Sequence, residues 1–240
     1  MSGRPAAWAF VDDLEELGLA PADAHHLGRV LRLRVGESVG VSDGAGRWRP
    51  CVVAAAGDVR LEPAGPVRTE PAPHPPLTIG FSLVKGDRPE LVVQKLTELG
   101  IDRILPLAAA RSVVRWDPAR AAKGVARLRQ VAREAAMQAR RARLPEVADV
   151  QTVAAAAQAA GVGGALCDQG GATPPGLARS TLLIGPEGGW DPDELRCGLP
   201  TVALGPTTLR SETAAIAAAV LLCGMRAGTV GEAGGPRVLT

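Results

Sequence analysis

From residue 77 onward the chain alternates short apolar runs with helix-like segments, and this alternation limits the fold more than any other feature. LTIGFSLV (77–84) reads as a buried strand, and Lys85-Gly86-Asp87-Arg88 as a loop. Pro89 starts a helix that Gly100 ends, and DRILPL (102–107) is the next strand. That is a βαβ unit, right-handed if both strands lie in one sheet. A long helix is predicted over 118–142, with Val125, Leu128, Val131, Ala132, Ala135 and Ala139 on one arc and charges on the rest. Strands are expected at 165–168, 181–184 and 201–204, and helices at 151–160, 192–198 and 212–226. Strands separated by helices imply a parallel sheet, with ligands at the carboxyl ends of its strands.

Residues before this region read differently. EPAGPVRTEPAPHPP (62–76) contains six prolines, which donate to neither helix nor sheet, so it reads as a stiff linker. Upstream, VGVSDGAGRWRPCVVA has two strand-like runs around a turn at 43–46, and VRLEP (59–63) is another short strand. PADAHHLGRVL (21–31) reads as a helix with Leu27, Val30 and Leu31 facing inward. A small β-barrel with one or two helices over 1–70, followed by an α/β domain over 77–240, is the expected organisation.

Two strand ends share one design. Leu183-Ile184 runs into Gly185-Pro186-Glu187-Gly188-Gly189, and Ala203-Leu204 into Gly205-Pro206-Thr207-Thr208-Leu209-Arg210. Glycine lets backbone groups approach a ligand closely. A helix start follows each loop: Asp191-Pro192-Asp193-Glu194 fits a capping box, and Ser211 can cap the last helix. Either loop alone could be an ordinary tight turn, but two at successive strand ends suggest a composite site. Neither GxxxxGK[ST] nor GxGxxG occurs, so the loops do not read as a phosphate cradle. The last helix, ETAAIAAAVLLCGM, is apolar on nearly all sides, which predicts burial in the domain or in a subunit interface.

Charge is uneven. The net value is only +2, yet residues 111–143 hold ten basic and two acidic side chains, a local +8 that leaves −6 elsewhere. Such a block points to a polyanionic partner. Cys51, Cys167, Cys197 and Cys223 are far apart and form no CxxC pair, so a disulfide framework or zinc site is not expected and a reducing cytoplasm fits. His25, His26 and His74 do not stand at metal-ligand spacing from the cysteines. No run of about 18 uncharged apolar residues predicts a membrane span, and the first residues show no secretion-signal pattern.

IGPEGGWDPDE followed by LGPTTLRSETAAIAA resembles the motifs of the ribosomal RNA small subunit methyltransferase E family, within the SPOUT superfamily of knotted methyltransferases. HHLGRVLRLRVGE (25–37), KGDRPELVVQKLTELGIDRILPL (85–107), RSVVRW (111–116) and REAAMQARR (133–141) agree with it, so the likeness runs from about residue 8 to 228. Three positions depart from the family pattern: Met137 stands where Glu is common, Thr207 where Arg is frequent, and Trp190 where Phe is frequent.

The resemblance implies a PUA-like N-terminal barrel and a SPOUT α/β domain with a deep trefoil knot at about 165–226. It also implies a homodimer with S-adenosylmethionine as methyl donor, acting on N3 of one uridine in the 16S rRNA of the small ribosomal subunit. On that reading the cofactor lies among Leu166, Leu183, Ile184, Gly185, Pro186, Glu187, Gly188, Gly189, Leu204, Gly205, Pro206, Leu209, Arg210 and Ser211. Arg210 and Glu212 are assigned near the base, with Glu187 shaping the cofactor loop and also a base candidate. Both carboxylates could instead only stabilise helix starts. Arg29, Arg32, Arg34, Lys85, Arg88, Arg111, Arg115, Arg127, Arg133 and Arg140 are the candidate RNA contacts. The chain's few aromatics argue against stacking on several exposed rings. A non-enzymatic RNA-binding assembly factor, or a methyltransferase of this fold acting on another RNA such as tRNA, remain the alternatives.

Overall fold

The computed structural model describes residues 5–56 and 59–231. Two compact units divide the chain: Met1–Ala72 with Arg133–Leu144, and Pro73–Ala132 with Pro145–Thr240. The expected organisation gave 133–144 wholly to the second unit; the structure counts that segment with the first.

In the first unit, β1 (Ala7–Phe10), β2 (Ser38–Ser42), β3 (Arg47–Ala55), β4 (Arg60–Pro63) and β5 (Arg68–Thr69) form one sheet. β1 and β2 are parallel and the other pairs antiparallel. Side chains alternate across a strand, and both faces of β1 are buried. Ala7 and Ala9 join Leu27, Val39, Val41 and Val53, whereas Trp8 and Phe10 pack with Ala136, Met137 and Ala142. The Met137 departure is thus a core residue of this unit, 8% exposed. Arg133 is held here too. Its guanidinium donates to the Phe10 carbonyl and to buried Asp23, and lies over the Phe10 ring.

The helix expected over 21–31 is α1 (Pro21–His25), followed by a wider turn over His26–Val30 in which the Leu31 N–H reaches back to the His26 carbonyl. The wider turn shifts the helical phase. Leu27 stays fully buried, but Val30 and Leu31 turn outward, at 60% and 43% exposure, contrary to the sequence expectation.

The second unit is built on β6 (Thr78–Ser82), α2 (Arg88–Leu99), β7 (Arg103–Ala108), α3 (Pro118–Ala139), β8 (Glu146–Val147), β9 (Gln151–Thr152) and α4 (Val153–Ala160). It continues through β10 (Gly164–Cys167), β11 (Thr181–Ile184), α5 (Pro192–Leu195), β12 (Thr201–Val202) and α6 (Ser211–Arg226). The last turns of α3, from Arg133, belong to the first unit. The sheet runs β12-β10-β11-β6-β7-β8, with β9 also on β7, and every pair is parallel. Ile79, Phe81, Leu182 and Ile184 face a core that includes α2 and α6 residues; Leu105, Leu107, Leu166 and Leu183 face another with Val153, Ala156 and Trp190. α6 is buried along Ser211, Ala214, Ala215, Ala218, Ala219 and Leu222 only, and Val220 is 46% exposed. Burial all round is therefore not met within one chain. No helix among the described residues is long and apolar enough to cross a membrane.

The Arg133–Asp23 pair offers a direct check of the first unit. Asp23 is 4% exposed, and removing one member of a buried pair leaves the other uncompensated. Asp23→Ala should destabilise the protein by about 3 kcal/mol in urea unfolding followed by tryptophan fluorescence. A loss below about 0.5 kcal/mol would mean the pair behaves as a surface one.

Candidate active site

β10, β11 and β6 end at one level, with Cys167 opposite Ile184 and Ile184 opposite Phe81. The loops after β10, β11 and β12 therefore open on the same edge of the sheet. Between them lies a cavity of about 330 Å³, within the roughly 300–1,000 Å³ of small-molecule sites. Its floor is Ile184 and Ala214, and its walls are residues 185–190 and the loop residues Leu204, Gly205, Thr207, Thr208 and Leu209. Cys167, Asp168, Gln169 and Ser211 complete the lining.

Several contacts fix these loops. The Trp190 indole N–H donates to the Cys167 carbonyl at 2.9 Å, and its ring lies so close to Gly185 that a Cβ there would come within 3.0 Å of it. Ser211 is the first residue of α6 rather than its cap; its hydroxyl donates to the Gly185 carbonyl at 3.0 Å. The Thr208 hydroxyl donates to Gln169 Oε1 at 2.7 Å, tying the β10 and β12 loops together. The capping box expected at 191–194 is present. Asp191 accepts from the Asp193 N–H, Glu194 accepts from the Asp191 N–H, and the second Glu194 oxygen takes the Ala110 N–H.

A second cavity, about 520 Å³, shares a wall of Pro186, Glu187, Gly188, Thr208 and Leu209 with the first. Its other lining includes Lys85, Arg88, Arg111, Ser112 and Arg210. The two differ in charge. The only charged side chains lining the first are Asp168 and Glu187, whereas the second carries four cations. An acidic, backbone-rich cavity suits a cationic ligand with few phosphates, and a basic one suits an anionic ligand.

The expected site residues fall out unevenly. Ile184, Gly185, Pro186, Glu187, Gly188, Gly189, Leu204, Gly205, Leu209 and Ser211 line the first cavity. Leu166 and Leu183 do not. Strand alternation turns both into the opposite core beside Trp190, fully buried. Pro206 is exposed and lines neither cavity, and Arg210 lines only the second. Arg88 lies between two carboxylates, 3.3 Å from Glu187 and 3.6 Å from Glu212. Glu212 lines neither cavity: its side chain is 14% exposed, and its Oε2 is buried without a hydrogen-bond partner. Glu187, 58% exposed, is the carboxylate at the shared wall. Cys167, Asp168, Gln169, Trp190, Thr207, Thr208 and Ala214 also line the first cavity and were not in the expected set; Gln169 and Thr208 meet only through folding of loops 39 residues apart.

Among the candidate RNA contacts, Arg29, Arg32 and Arg34 are exposed in the first unit. Lys85, Arg88 and Arg111 line the second cavity, and Arg111 also donates to the Gly188 carbonyl. Arg115 donates to the Ala110 carbonyl, and Arg127 pairs with Glu90 at 3.1 Å. Arg133 is taken up inside the first unit, and Arg140 is half-buried at a φ of 56°. No group of three or more metal-ligating side chains is placed to hold an ion among the described residues.

Comparison with known proteins places the chain in a family. A family model described as an RNA methyltransferase domain matches residues 70–223, and one described as an RNA methyltransferase PUA domain matches 19–62. Fold and site together define a two-domain RNA methyltransferase of α/β type with an N-terminal PUA domain. The ribosomal RNA small subunit methyltransferase E of Mycobacterium tuberculosis is 38% identical over 230 residues, covering 87% of this chain and 88% of its own. That of Bacillus subtilis is 29% identical over 233 residues, covering 85% and 88%. The chain belongs to the ribosomal RNA small subunit methyltransferase E family.

Two solved structures share the fold. The Neisseria gonorrhoeae ribosomal RNA small subunit methyltransferase E bound to S-adenosyl methionine matches with a TM-score of 0.77 at 25% identity, covering 92% of this chain and 97% of that one. A putative methyltransferase from Legionella pneumophila with bound cofactor SAM matches at 0.76 and 27%, covering 90% and 96%.

Cys167 reports on the packing of the first cavity. Burial pushes its thiol up to about 12, so at pH 8 it is protonated and a poor nucleophile. Iodoacetamide at pH 8 should leave Cys167 unmodified in the native protein and modify it after unfolding, as read by peptide mass spectrometry. Rapid labelling of the folded protein would mean the β10 end is open.

Proposed function

We propose that this protein transfers a methyl group from S-adenosylmethionine to N3 of one uridine in the 16S rRNA of the small ribosomal subunit. The observation that carries the reading is the pair of cavities, one acidic and backbone-lined, one basic, sharing the wall that holds Glu187. The first suits a cationic sulfonium cofactor and the second a nucleotide. The bare loops 185–189 and 204–209, with Gln169 and Ser211, hold the cofactor. Bound there, S-adenosylmethionine supplies an electrophilic methyl group.

The chain's own residues handle the proton and the charge. Uridine N3 carries a proton that must leave as the new N–C bond forms. Glu187, at the shared wall, takes that proton and is the preferred base; this reverses the assignment that put Glu212 nearest the base. Arg210 is exposed, pairs with none of the described residues, and stabilises negative charge on the pyrimidine oxygens. Glu212 acts from below by orienting Arg88. A base paired in RNA must be flipped out to enter such a cavity.

Several family properties join the proposal. β12 pairs with β10 on one side while Thr173 bridges to Val202, so the 168–180 loop brackets the path that the chain takes into α6. This supports a trefoil knot over about 165–226. The half-open apolar face of α6, with Val220 exposed, supports a homodimer. Four free cysteines fit a cytoplasmic setting.

Small ribosomal subunits lacking N3-uridine methylation, incubated with the protein and labelled S-adenosylmethionine, test the reading. Nuclease digestion and mass spectrometry should place one N3-methyluridine in 16S rRNA. Label at another nucleotide would replace the target, and no label would remove the enzymatic reading. Within the same assay, Glu187→Gln should lower kcat by roughly 10²–10⁴-fold at saturating S-adenosylmethionine, and, because Glu187 is one of the two acidic side chains of the first cavity, should also weaken cofactor binding read by calorimetry. Unchanged kcat would take the base role away from Glu187.

A further inference from the structure

A third cavity, about 340 Å³, adjoins the second and shares Val84, Lys85 and Val114 with it. Lys85, Trp116, Arg120, Lys123, Gly124 and Arg127 line it, and no acidic side chain does. Trp116 is half-buried. Its ring lies so close to Gly124 that a Cβ at that position would come within 2.5 Å of it. Glycine weakens a helix interior, and here, in the second turn of α3, it makes room for the ring. Lys85, Arg120 and Lys123 are exposed and make no ion pair with the described residues, while Glu90 holds Arg127. The family match assigns nothing to this cavity.

We infer that this cavity is a nucleotide subsite, in which an unpaired base next to the methylated uridine stacks on Trp116 while its phosphate lies against Lys85, Arg120 and Lys123. The inference rests on the second cavity receiving the target uridine. One aromatic face surrounded by cations is the combination that binds single-stranded nucleic acid with little sequence preference. Continuity through Lys85 places the occupant beside the target rather than at a remote site. The small number of rings in the chain does not oppose this, because a single platform suffices for one base.

The test uses the full-length protein, unmethylated small ribosomal subunits and S-adenosylmethionine. Wild-type methylation is measured first; if it is absent, the functional reading fails and not only the subsite. Given wild-type activity, Trp116→Leu should raise KM for the subunits about ten-fold, with cofactor affinity by calorimetry unchanged, and Trp116→Phe should restore most of the loss. Lys123→Gln should reduce by about one the slope of log affinity against log salt. Unchanged KM in Trp116→Leu, or a Phe variant as poor as Leu, overturns the stacking role. Should Trp116→Leu melt early, the exposed Lys123→Gln variant decides alone, and an unchanged salt slope overturns the subsite.

Discussion

The register of three adjacent parallel strands governs the rest of the second unit. β10, β11 and β6 pair so that Cys167, Ile184 and Phe81 lie side by side at their carboxyl ends. Open parallel sheets bind ligands at that edge, and here the loops leaving it are short of side chains. A slip of one residue would exchange the faces of Leu183 and Ile184 and break the shared cavity floor. The contacts at the edge reinforce the register: Ser82 donates to the Ile184 carbonyl, Trp190 to Cys167, and Ser211 to Gly185. With few bulky side chains in the way, the N–H and C=O groups of these loops can approach a ligand closely.

The long helix α3 shows how one segment serves two ends. Its early turns carry Arg120, Lys123 and Gly124 in the second unit; its last turns carry Arg133, Ala136 and Met137 in the first. The +8 block of residues 111–143 is therefore not one uniform RNA face. Arg133 and Arg143 are bonded within the first unit, and Arg129 to Asp149 and the Val147 carbonyl in the second. Within the second unit, exposed Lys85, Arg120 and Lys123, which make no ion pair with the described residues, lie together at the third cavity.

Much of this architecture was legible because it rests on local chemistry. β11 falls at 181–184 as expected, Gly100 ends α2 with a left-handed φ of 107°, and the 191–194 capping box forms. What escaped depends on tertiary placement. Alternation alone did not say which face of β10 and β11 would meet the cavity, so Leu166 and Leu183 were expected as its walls and proved to be core. The widened turn after His25 moved Val30 and Leu31 outward, and no side-chain pattern announces such a turn. Glu187 and Glu212 look equivalent in sequence; only Arg88, lying between them, and the cavity wall separate their roles.

The central claim is that the glycine loops after β11 and β12 hold S-adenosylmethionine against the wall that contains Glu187. A crystal structure of the protein grown with S-adenosylmethionine tests it most directly. The account predicts density for the cofactor between residues 185–189 and 204–209, with its methyl group directed toward the second cavity. Cofactor density in the second cavity, or at a site away from these loops, would contradict the account.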